Sequence, residues 1–148
     1  MRELEQKFQV LYSAAQERRD FDLWIEQAAG IQGYSVAVLF LDVDDFKRLN
    51  TLYTESVIDR TLLLELQQLV RCLCLHRGGA YRHGGEELLV LLPNCGLEEA
   101  SLFAEKLRSQ IASYDFRVGN QAVPITVSVG VAVWPHGASL QAVNRESE

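Results

Sequence analysis

Two clusters of carboxylates stand where the pattern of the sequence changes. Asp42, Asp44 and Asp45 directly follow a continuous apolar run. Glu86 and Glu87 directly follow a pair of glycines. Each cluster alone fits a solvated acidic strand end, but clustered carboxylates repel one another unless a cation or solvent intervenes. Because Mg²⁺ prefers one or two carboxylates with water and phosphate oxygens, the two clusters together favour a magnesium site that acts on a phosphorylated ligand.

A buried strand and a hairpin are the elements that must bring these clusters together. The run SVAVLFLD at 35–42 is typical of a central strand buried on both faces. Two further strands flank HGGE at 83–86, a tight glycine turn. In the predicted sheet the first strand lies beside this hairpin, so the turn brings Glu86 close to Asp42. The two glycines let the turn bend and leave room for a ligand.

The remaining periodicity completes an α+β fold. Apolar residues at helical spacing predict helices, and alternating or continuous short apolar runs predict strands. The sequence predicts helices at 1–29, 46–53, 56–75 and 97–112, and strands at 35–42, 80–82, 87–92, 114–118 and 125–134. This order contains the β-α-β-β-α-β core of a ferredoxin-like, palm-type α/β sandwich, with a central antiparallel or mixed sheet and helices on one face. We expect an N-terminal helical extension over 1–29 and one domain over 30–148.

The overall composition is that of an ordinary soluble domain. The 148 residues suit one domain, and 48% hydrophobic with 23% charged residues is typical of globular proteins. No apolar run approaches the roughly 18 residues of a membrane span, and the N-terminus lacks a secretory signal. We therefore expect a cytoplasmic protein without direct membrane contact. The net charge of −6 disfavours DNA or RNA as a partner.

The cysteines predict neither a disulfide framework nor a zinc site. Cys72, Cys74 and Cys95 are odd in number and lie in or near leucine-rich sequence. The nearby histidines do not complete the spacing of a zinc site. We expect all three thiols to be packed apolar groups, because free cysteine is commonly buried.

Three motifs, in this order, resemble the GGDEF, or diguanylate cyclase, family. They are FLDVDDFKRLN at 40–50, RHGGEELLVLLP at 82–93 and TVSVGVA at 126–132. The second is a GGEEF-like variant in which Leu88 replaces phenylalanine. The segment ERRDF at 17–21 is also similar to the family's opening helix. The resemblance covers residues 34–134 and implies a nucleotidyl cyclase with a palm-type fold.

The resemblance implies a set of metal-binding and catalytic residues. Mg²⁺ or Mn²⁺ would be held by Asp42, by the backbone carbonyl of Val43 and by Glu86. Glu87 would be a second metal or catalytic carboxylate, so the catalytic set is Asp42, Glu86 and Glu87. The implied reaction joins two GTP molecules into cyclic di-GMP and releases pyrophosphate. Each protomer would hold one GTP, so a two-fold homodimer is part of the implied mechanism.

The resemblance also implies a set of substrate-binding residues. Backbone N–H groups at the start of a helix favour bound anions. Those assigned to the phosphates belong to Asp44, Asp45 and Phe46, joined by the side chain of Lys47. Asn50 and Asp59 match the pair that contacts guanine in this family. Gly84 and Gly85 would line the nucleotide.

Three positions between Asn50 and Asp59 depart from the family pattern. Thr54, Glu55 and Ile58 stand where the family has glycine, histidine and glycine, so added side chains would reshape the base pocket. The family's inhibitory-site pattern and its basic C-terminal segment are also missing, as in a truncated or shortened member. Two alternatives follow. One is a degenerate domain that binds nucleotide or protein without turnover. The other is a minimal cyclase, similar to the palm domain of CRISPR-type polymerases, that makes cyclic oligoadenylates.

Several of these side chains also have purely structural interpretations. Asn50 could cap the chain between two helices, and Asp59 could favour the first turn of a helix through its dipole. Lys47 could be a surface lysine. For Arg82 we favour an ion pair with an acidic neighbour over a catalytic role, and for His83 we favour packing.

Overall fold

The computed structural model describes residues 11–135. The predictions for residues 1–10 and 136–148 lie outside this range. In chain order the elements are α1 (Ala14–Ala28), β1 (Val36–Val43), α2 (Phe46–Leu52), α3 (Glu55–Arg60), α4 (Leu62–Cys74), β2 (Gly79–Arg82), β3 (Glu87–Pro93), α5 (Leu97–Ser113), β4 (Arg117–Val118), β5 (Gln121–Ala122) and β6 (Val127–Trp134). This confirms the predicted α+β class and its β-α-β-β-α-β core.

A four-stranded sheet forms the centre of the domain, in the order β2-β3-β1-β6. The neighbouring strands are all antiparallel, so the antiparallel alternative holds and the mixed one does not. β1 lies between β3 and β6, and six consecutive residues, Val36 to Leu41, are buried. A strand that is apolar on both faces needs cover on both faces.

The two faces of the sheet are covered by different helices. On one face Leu39 and Leu41 join the core formed with α4 and α5. On the other face Val38 and Phe40 pack with Phe21 of α1. The helices of the β-α-β-β-α-β core therefore share one face, as predicted, and α1, which precedes that core, covers the other face. The alternate residues of β1 are apolar on both sides, and α1 covers the face that α4 and α5 leave open.

The chain just before α1 is held against the edge of the sheet. The side chain of Ser13 caps α1 by accepting a hydrogen bond from the backbone N–H of Gln16. Tyr12 forms a parallel bridge to Tyr81 of β2, and the N–H of Arg82 donates to the Tyr12 carbonyl at 2.8 Å. These backbone bonds fix the start of α1 beside the hairpin.

The single helix predicted over 56–75 is broken into α3 and α4. The break is at Thr61, whose φ is −120° and ψ is −83°. Its hydroxyl donates to the carbonyl of Val57 at 2.6 Å, a local bond that bends helices. The strand predicted over 114–118 shrinks to β4, which pairs only with the two-residue β5. The last strand begins at Val127.

All three cysteines are free. Cys74 and Cys95 are buried, as predicted, but Cys72 is exposed, so the prediction was wrong for that thiol. The buried positions of α4 include Leu66, Val70 and Cys74, and the 3.6-residue period puts position 72 on the opposite side. Within residues 11–135 no helix has the length and apolar character needed to cross a bilayer.

Candidate functional site

The two acidic clusters meet at one end of the sheet. The register places Asp42 of β1 directly opposite Glu87 of β3, and opposite Ser128 of β6 on its other side. Directly opposite residues of antiparallel strands share a face and lie close together. The N–H of Val43 also donates to the carbonyl of Glu86 at 3.4 Å. The structure thus makes the backbones of the predicted metal and catalytic residues immediate neighbours.

These residues fit Mg²⁺ as an ion that substrate helps to hold. Within residues 11–135 no group of three or more acidic, histidine or cysteine side chains is arranged to hold a metal by itself. Mg²⁺ does not require such a cage, because it keeps several waters and binds through one or two carboxylates plus phosphate oxygens. Asp42 and Glu87 provide one neighbouring pair, and Glu86 stands next in the chain. These carboxylates therefore suit Mg²⁺, which water and phosphate oxygens help to hold, better than they suit a metal that needs all its ligands from the protein.

Asp44 fastens β1 to the segment that leads into β6. Its carboxylate accepts hydrogen bonds from the hydroxyl of Thr126 at 2.7 Å and from that of Ser128 at 2.6 Å. Its backbone N–H donates to the Thr126 carbonyl at 3.0 Å. This amide therefore stabilises the fold, and the predicted contact between the Asp44 N–H and phosphate gains no support. Asp44 instead holds the end of β1 in place.

The neighbouring phosphate-binding prediction concerns Asp45, Phe46 and Lys47. Asp45 adopts a left-handed conformation with φ of 56°, which turns the chain from β1 into α2. The side chain of Lys47 is exposed. Because α2 has only seven residues, its dipole is a weak basis for anion binding by itself. The phosphate contacts of this segment stay a prediction.

The glycine loop over residues 83–86 is open where a ligand would approach. The N–H groups of His83 and Gly84 both donate to the Glu87 carbonyl, at 2.9 and 3.1 Å. Neither Gly84 nor Gly85 has a positive φ. An added Cβ would meet nothing within 4 Å at Gly85, and only ordinary contact with Glu87, at 3.6 Å, at Gly84. The interpretation that the turn needs these glycines to bend was therefore wrong, and the open space that was also expected is found at Gly85.

Arg82 ties the glycine loop to α3. Its Nη2 donates to the Gly85 carbonyl at 3.0 Å and to Oδ1 of Asp59 at 3.3 Å. This confirms the predicted ion pair between Arg82 and an acidic neighbour. Asp59, one of the two candidate base contacts, is thus linked to the loop through the side chain of Arg82.

The second candidate base contact, Asn50, has an unusual environment. Its Oδ1 is buried and has no hydrogen-bond partner within the described part of the chain. A buried oxygen without a partner costs about 1–3 kcal/mol, and such atoms call for an explanation. The alternative in which this oxygen caps the chain gains no support. A ligand that donates a hydrogen bond to it would remove the cost.

The segment that departs from the family pattern is strained at Thr54. Its φ of 43° and ψ of 152° are uncommon for any residue with a side chain. Its hydroxyl accepts a long hydrogen bond of 3.4 Å from the N–H of Val57 at the start of α3. Ile58 is buried in the core, and Glu55 is exposed. Thr54 therefore adds strain, Ile58 adds a core side chain and Glu55 adds a surface charge.

We expect Thr54→Gly to stabilise the domain by about 1 kcal/mol. Backbone strain of this kind costs about 1–3 kcal/mol, the lost cap costs only a few tenths when glycine replaces it, and glycine adds roughly 0.5–1 kcal/mol of unfolded-state entropy. Urea unfolding measures the change. Thr51→Gly, inside α2, is the matched control and should destabilise by about 0.3–0.5 kcal/mol, the difference in helix propensity between the two residues. Equal losses in both variants would show that Thr54 is unstrained.

A buried pair, which the sequence analysis did not identify as such, connects α1 to the glycine loop. Nδ1 of His83 lies 2.9 and 3.0 Å from the two carboxylate oxygens of Glu17, and Glu17 is only 2% exposed. Burial raises the pKa of Glu17, and the hydrogen bond from His83 acts in the opposite direction. His83 also packs edge-on against Phe40, with ring centroids 5.7 Å apart. The predicted packing role is thus only part of what His83 does.

A signal for Glu17 was present in the sequence. Phe21 and Ala28 are buried on α1, and position 17 is one helical turn before Phe21 on the same side. An acidic residue at an inward position requires a partner, because buried charges are paired or coordinate metals. The partner could not be identified from the helix alone, since His83 is 66 residues away.

Sequence comparisons find relatives among uncharacterized bacterial proteins. The protein YhcK of Bacillus subtilis is 35% identical over 115 residues, which are 75% of this chain and 31% of that protein. A membrane protein of Staphylococcus aureus, SAUSA300_0730, is 31% identical over 108 residues, which are 72% of this chain and 30% of that protein. The chain thus spans under a third of the length of these relatives.

Solved structures share the fold over almost the whole chain. The FimX GGDEF domain of Pseudomonas aeruginosa has a TM-score of 0.85 at 20% identity and covers 95% of this chain and 86% of its own. Diguanylate cyclase SiaD of the same organism, solved with its activator SiaC, has a TM-score of 0.83 at 28% identity. The match covers 93% of this chain and 52% of the SiaD chain. The family model for "Diguanylate cyclase, GGDEF domain" matches residues 13–148. With this match across nearly its full length, the chain belongs to the GGDEF domain family.

Proposed function

We propose that this domain is a diguanylate cyclase that condenses two GTP molecules into cyclic di-GMP with Mg²⁺ or Mn²⁺ and releases pyrophosphate. The single observation that carries the proposal is the register of the sheet, which sets Asp42 opposite Glu87 and bonds Val43 to Glu86. The carboxylates of both clusters then lie at one edge, beside a loop with open space at Gly85. Membership in the GGDEF family supports the same reaction.

Each part of the site has a distinct role in this proposal. Asp42, the Val43 carbonyl and Glu86 would hold the metal, and the chemistry supplied there would be activation of the attacking 3′-hydroxyl and stabilisation of charge on the phosphate. Glu87 adds a further carboxylate at the same edge. Gly85 lets the nucleotide approach the backbone without a side chain in the way.

Asn50 and Asp59 recognise the base in this proposal. The buried Oδ1 of Asn50 is an acceptor without a hydrogen-bond partner among the described residues. The carboxylate of Asp59 accepts from Arg82 through one oxygen, and its other oxygen suits the amino edge of guanine. An acceptor pair of this kind favours a base that presents neighbouring N–H donors. This favours guanine over adenine.

A homodimer belongs to the proposal because each protomer supplies one GTP. Joining two identical nucleotides twice requires two sites that face each other across a two-fold axis. We place the domain in the cytoplasm, where nucleoside triphosphates are available. No part of the proposal requires DNA, RNA or a membrane.

A reaction that contains both ATP and GTP tests the proposal and the base preference together. The protein is incubated with Mg²⁺ and an equal mixture of the two nucleotides, and products are identified by mass spectrometry. We expect cyclic di-GMP and pyrophosphate. Cyclic oligoadenylates would establish the adenylate-forming alternative, and the absence of any cyclic product would contradict the proposed activity.

A binding domain without turnover is the second candidate. Two observations favour it: Arg82 occupies one oxygen of Asp59, and the base-pocket segment is strained at Thr54. Calorimetry with Mg²⁺ and GTP separates the two functions when it is combined with the product assay. Binding of GTP without product would establish the non-catalytic function, and turnover would exclude it.

The open space at the glycine loop gives a sharp prediction for Gly85→Ala. Because an added Cβ meets nothing in the protein, we expect the free energy of unfolding to change by no more than about 0.5 kcal/mol. Affinity for GTP, measured by calorimetry, should fall by about tenfold because the methyl group occupies ligand space. Gly30→Ala is the matched control, since its Cβ also meets nothing within 4 Å. Equal GTP affinity in both variants would show that the nucleotide does not approach Gly85.

A further inference from the structure

The connection between α1 and the glycine loop is a pair of polar side chains rather than apolar packing alone. The Nδ1–H of His83, at the start of the loop, donates to the carboxylate of Glu17 on α1 at 2.9 Å. A second contact lies beside it: the hydroxyl of Tyr81, two residues before His83, donates to Oδ2 of Asp20, three residues after Glu17, at 2.6 Å. Both contacts join successive turns of α1 to the chain that enters the loop. The position of α1 and the position of the loop are therefore linked through specific bonds.

The burial of Glu17 makes this link strong. Only 2% of the residue is exposed, and a buried carboxylate is costly unless it is paired and hydrogen-bonded. Any movement of His83 away from α1 leaves that carboxylate without this partner. Every conformation that separates His83 from Glu17 carries this cost, so the observed position of His83 is favoured over conformations in which the two side chains are apart. The same cost opposes displacement of α1.

The remaining contacts show what His83 contributes to the loop. Arg82 holds the loop at Gly85, because it donates to the Gly85 carbonyl. The ring of His83 holds the first residue of the loop, because it lies between Phe40 of β1, which it contacts edge-on, and the carboxylate of Glu17. Glu86 follows three residues later. The Glu17–His83 pair thus orients the start of the loop that leads to Glu86, the proposed metal ligand.

We propose that Glu17 and His83 are positioning residues that hold the glycine loop over residues 83–86 against β1. Neither needs to touch substrate: Glu17 acts through His83, and His83 acts through the backbone that leads to Glu86. The effect on turnover rests on the proposed cyclase function, whereas the effect on the loop does not. Any protein segment or partner that shifts α1 would, through this pair, change the loop and the activity.

The test compares Glu17→Gln with Glu26→Gln, an exposed position on the same helix. Hydrogen exchange is measured for the loop amides of His83 and Gly84, which both donate to the Glu87 carbonyl, and for core amides of β1 in the free protein. We expect Glu17→Gln to speed exchange in the loop by about fivefold or more while β1 is unchanged. Glu26→Gln should match the unmodified chain at both places.

Activity provides the second readout. In the mixed-nucleotide reaction, kcat of Glu17→Gln should fall by about tenfold, as for residues that orient metal ligands, with KM for GTP within a factor of about two. His83→Gln, which keeps an N–H donor for Glu17, should retain more activity than His83→Phe, which keeps only the ring.

The outcomes separate this inference from the proposed function. Loop exchange in Glu17→Gln that equals the Glu26→Gln control would overturn the positioning role, whether or not the protein makes cyclic di-GMP. Faster loop exchange supports the role. Faster loop exchange in a protein without turnover would overturn the proposed activity and leave the positioning role standing.

Discussion

Glu86→Gln is expected to reduce cyclic dinucleotide formation by about 10²–10³-fold, the loss typical of removing one pre-organised charge contact from a reacting centre. The substitution keeps the size of the side chain and removes its negative charge. Because the Val43 amide bonds to the Glu86 carbonyl, the backbone keeps its place. Initial rates with saturating GTP, measured over a range of Mg²⁺ concentrations, check the result.

The metal dependence identifies the cause of the loss. If Glu86 holds the ion, the Mg²⁺ concentration that gives half the maximal rate should rise in Glu86→Gln. Glu98→Gln is the matched control, because Glu98 is exposed in the first turn of α5. An unchanged rate in Glu86→Gln would remove this residue from the proposed metal site. A lower rate with an unchanged Mg²⁺ midpoint would leave it a catalytic carboxylate that holds no metal.

The elements of the fold could be predicted because each has its own local pattern. The continuous apolar run of β1 and the helical stripe of α5 depend only on residues within the element. The sequence also placed both acidic clusters at strand ends, which the structure confirms. The sequence analysis placed Glu86 beside Asp42, but which carboxylate lies opposite Asp42 depends on the hairpin register. Register sets Asp42 opposite Glu87, and it brings Glu86 only to the Val43 backbone.

Features that depend on distant partners could not be predicted. The position of α1 on the second face is set by how Phe21 packs with Val38 and Phe40, and no periodicity within α1 specifies that face. The Glu17–His83 pair joins residues 66 positions apart. The role of Gly85 was only half identified, because conformational freedom and open space both explain a glycine, and only coordinates separate them.

His83→Phe is expected to destabilise the domain by about 2 kcal/mol. The change keeps an aromatic ring against Phe40 but removes the donor from Glu17. Leaving a buried acceptor without its hydrogen-bond donor costs about 1–3 kcal/mol, and the His83 side chain is 28% exposed while that of Glu17 is 2% exposed. Urea unfolding at neutral pH measures the difference. Arg108→Lys, which alters an exposed contact with Glu105 on α5, is a surface control that should change little.

The pH dependence of His83→Phe follows from the direction of the Glu17 pKa. Burial already raises this pKa above 4.5, and the His83 hydrogen bond opposes the rise, so the variant should have a still higher pKa. A carboxyl whose folded pKa is raised stabilises the fold below its unfolded pKa, and that contribution is lost as pH rises through the folded pKa. The variant should therefore lose more stability, relative to the unmodified chain, at pH 8 than at pH 5. A constant difference across this range would mean that Glu17 is not left charged and unpaired.

Replacing both members of the pair separates stability from positioning. Glu17→Met combined with His83→Phe removes the buried charge together with its partner, and such exchanges are often neutral or stabilising. We expect the double variant to recover most of the roughly 2 kcal/mol lost in His83→Phe and to lose its pH dependence, because no buried carboxyl remains. If the pair also orients the loop through its hydrogen bond, turnover should stay low although stability returns. Recovery of both would mean that apolar contact between α1 and residue 83 is sufficient to hold the loop.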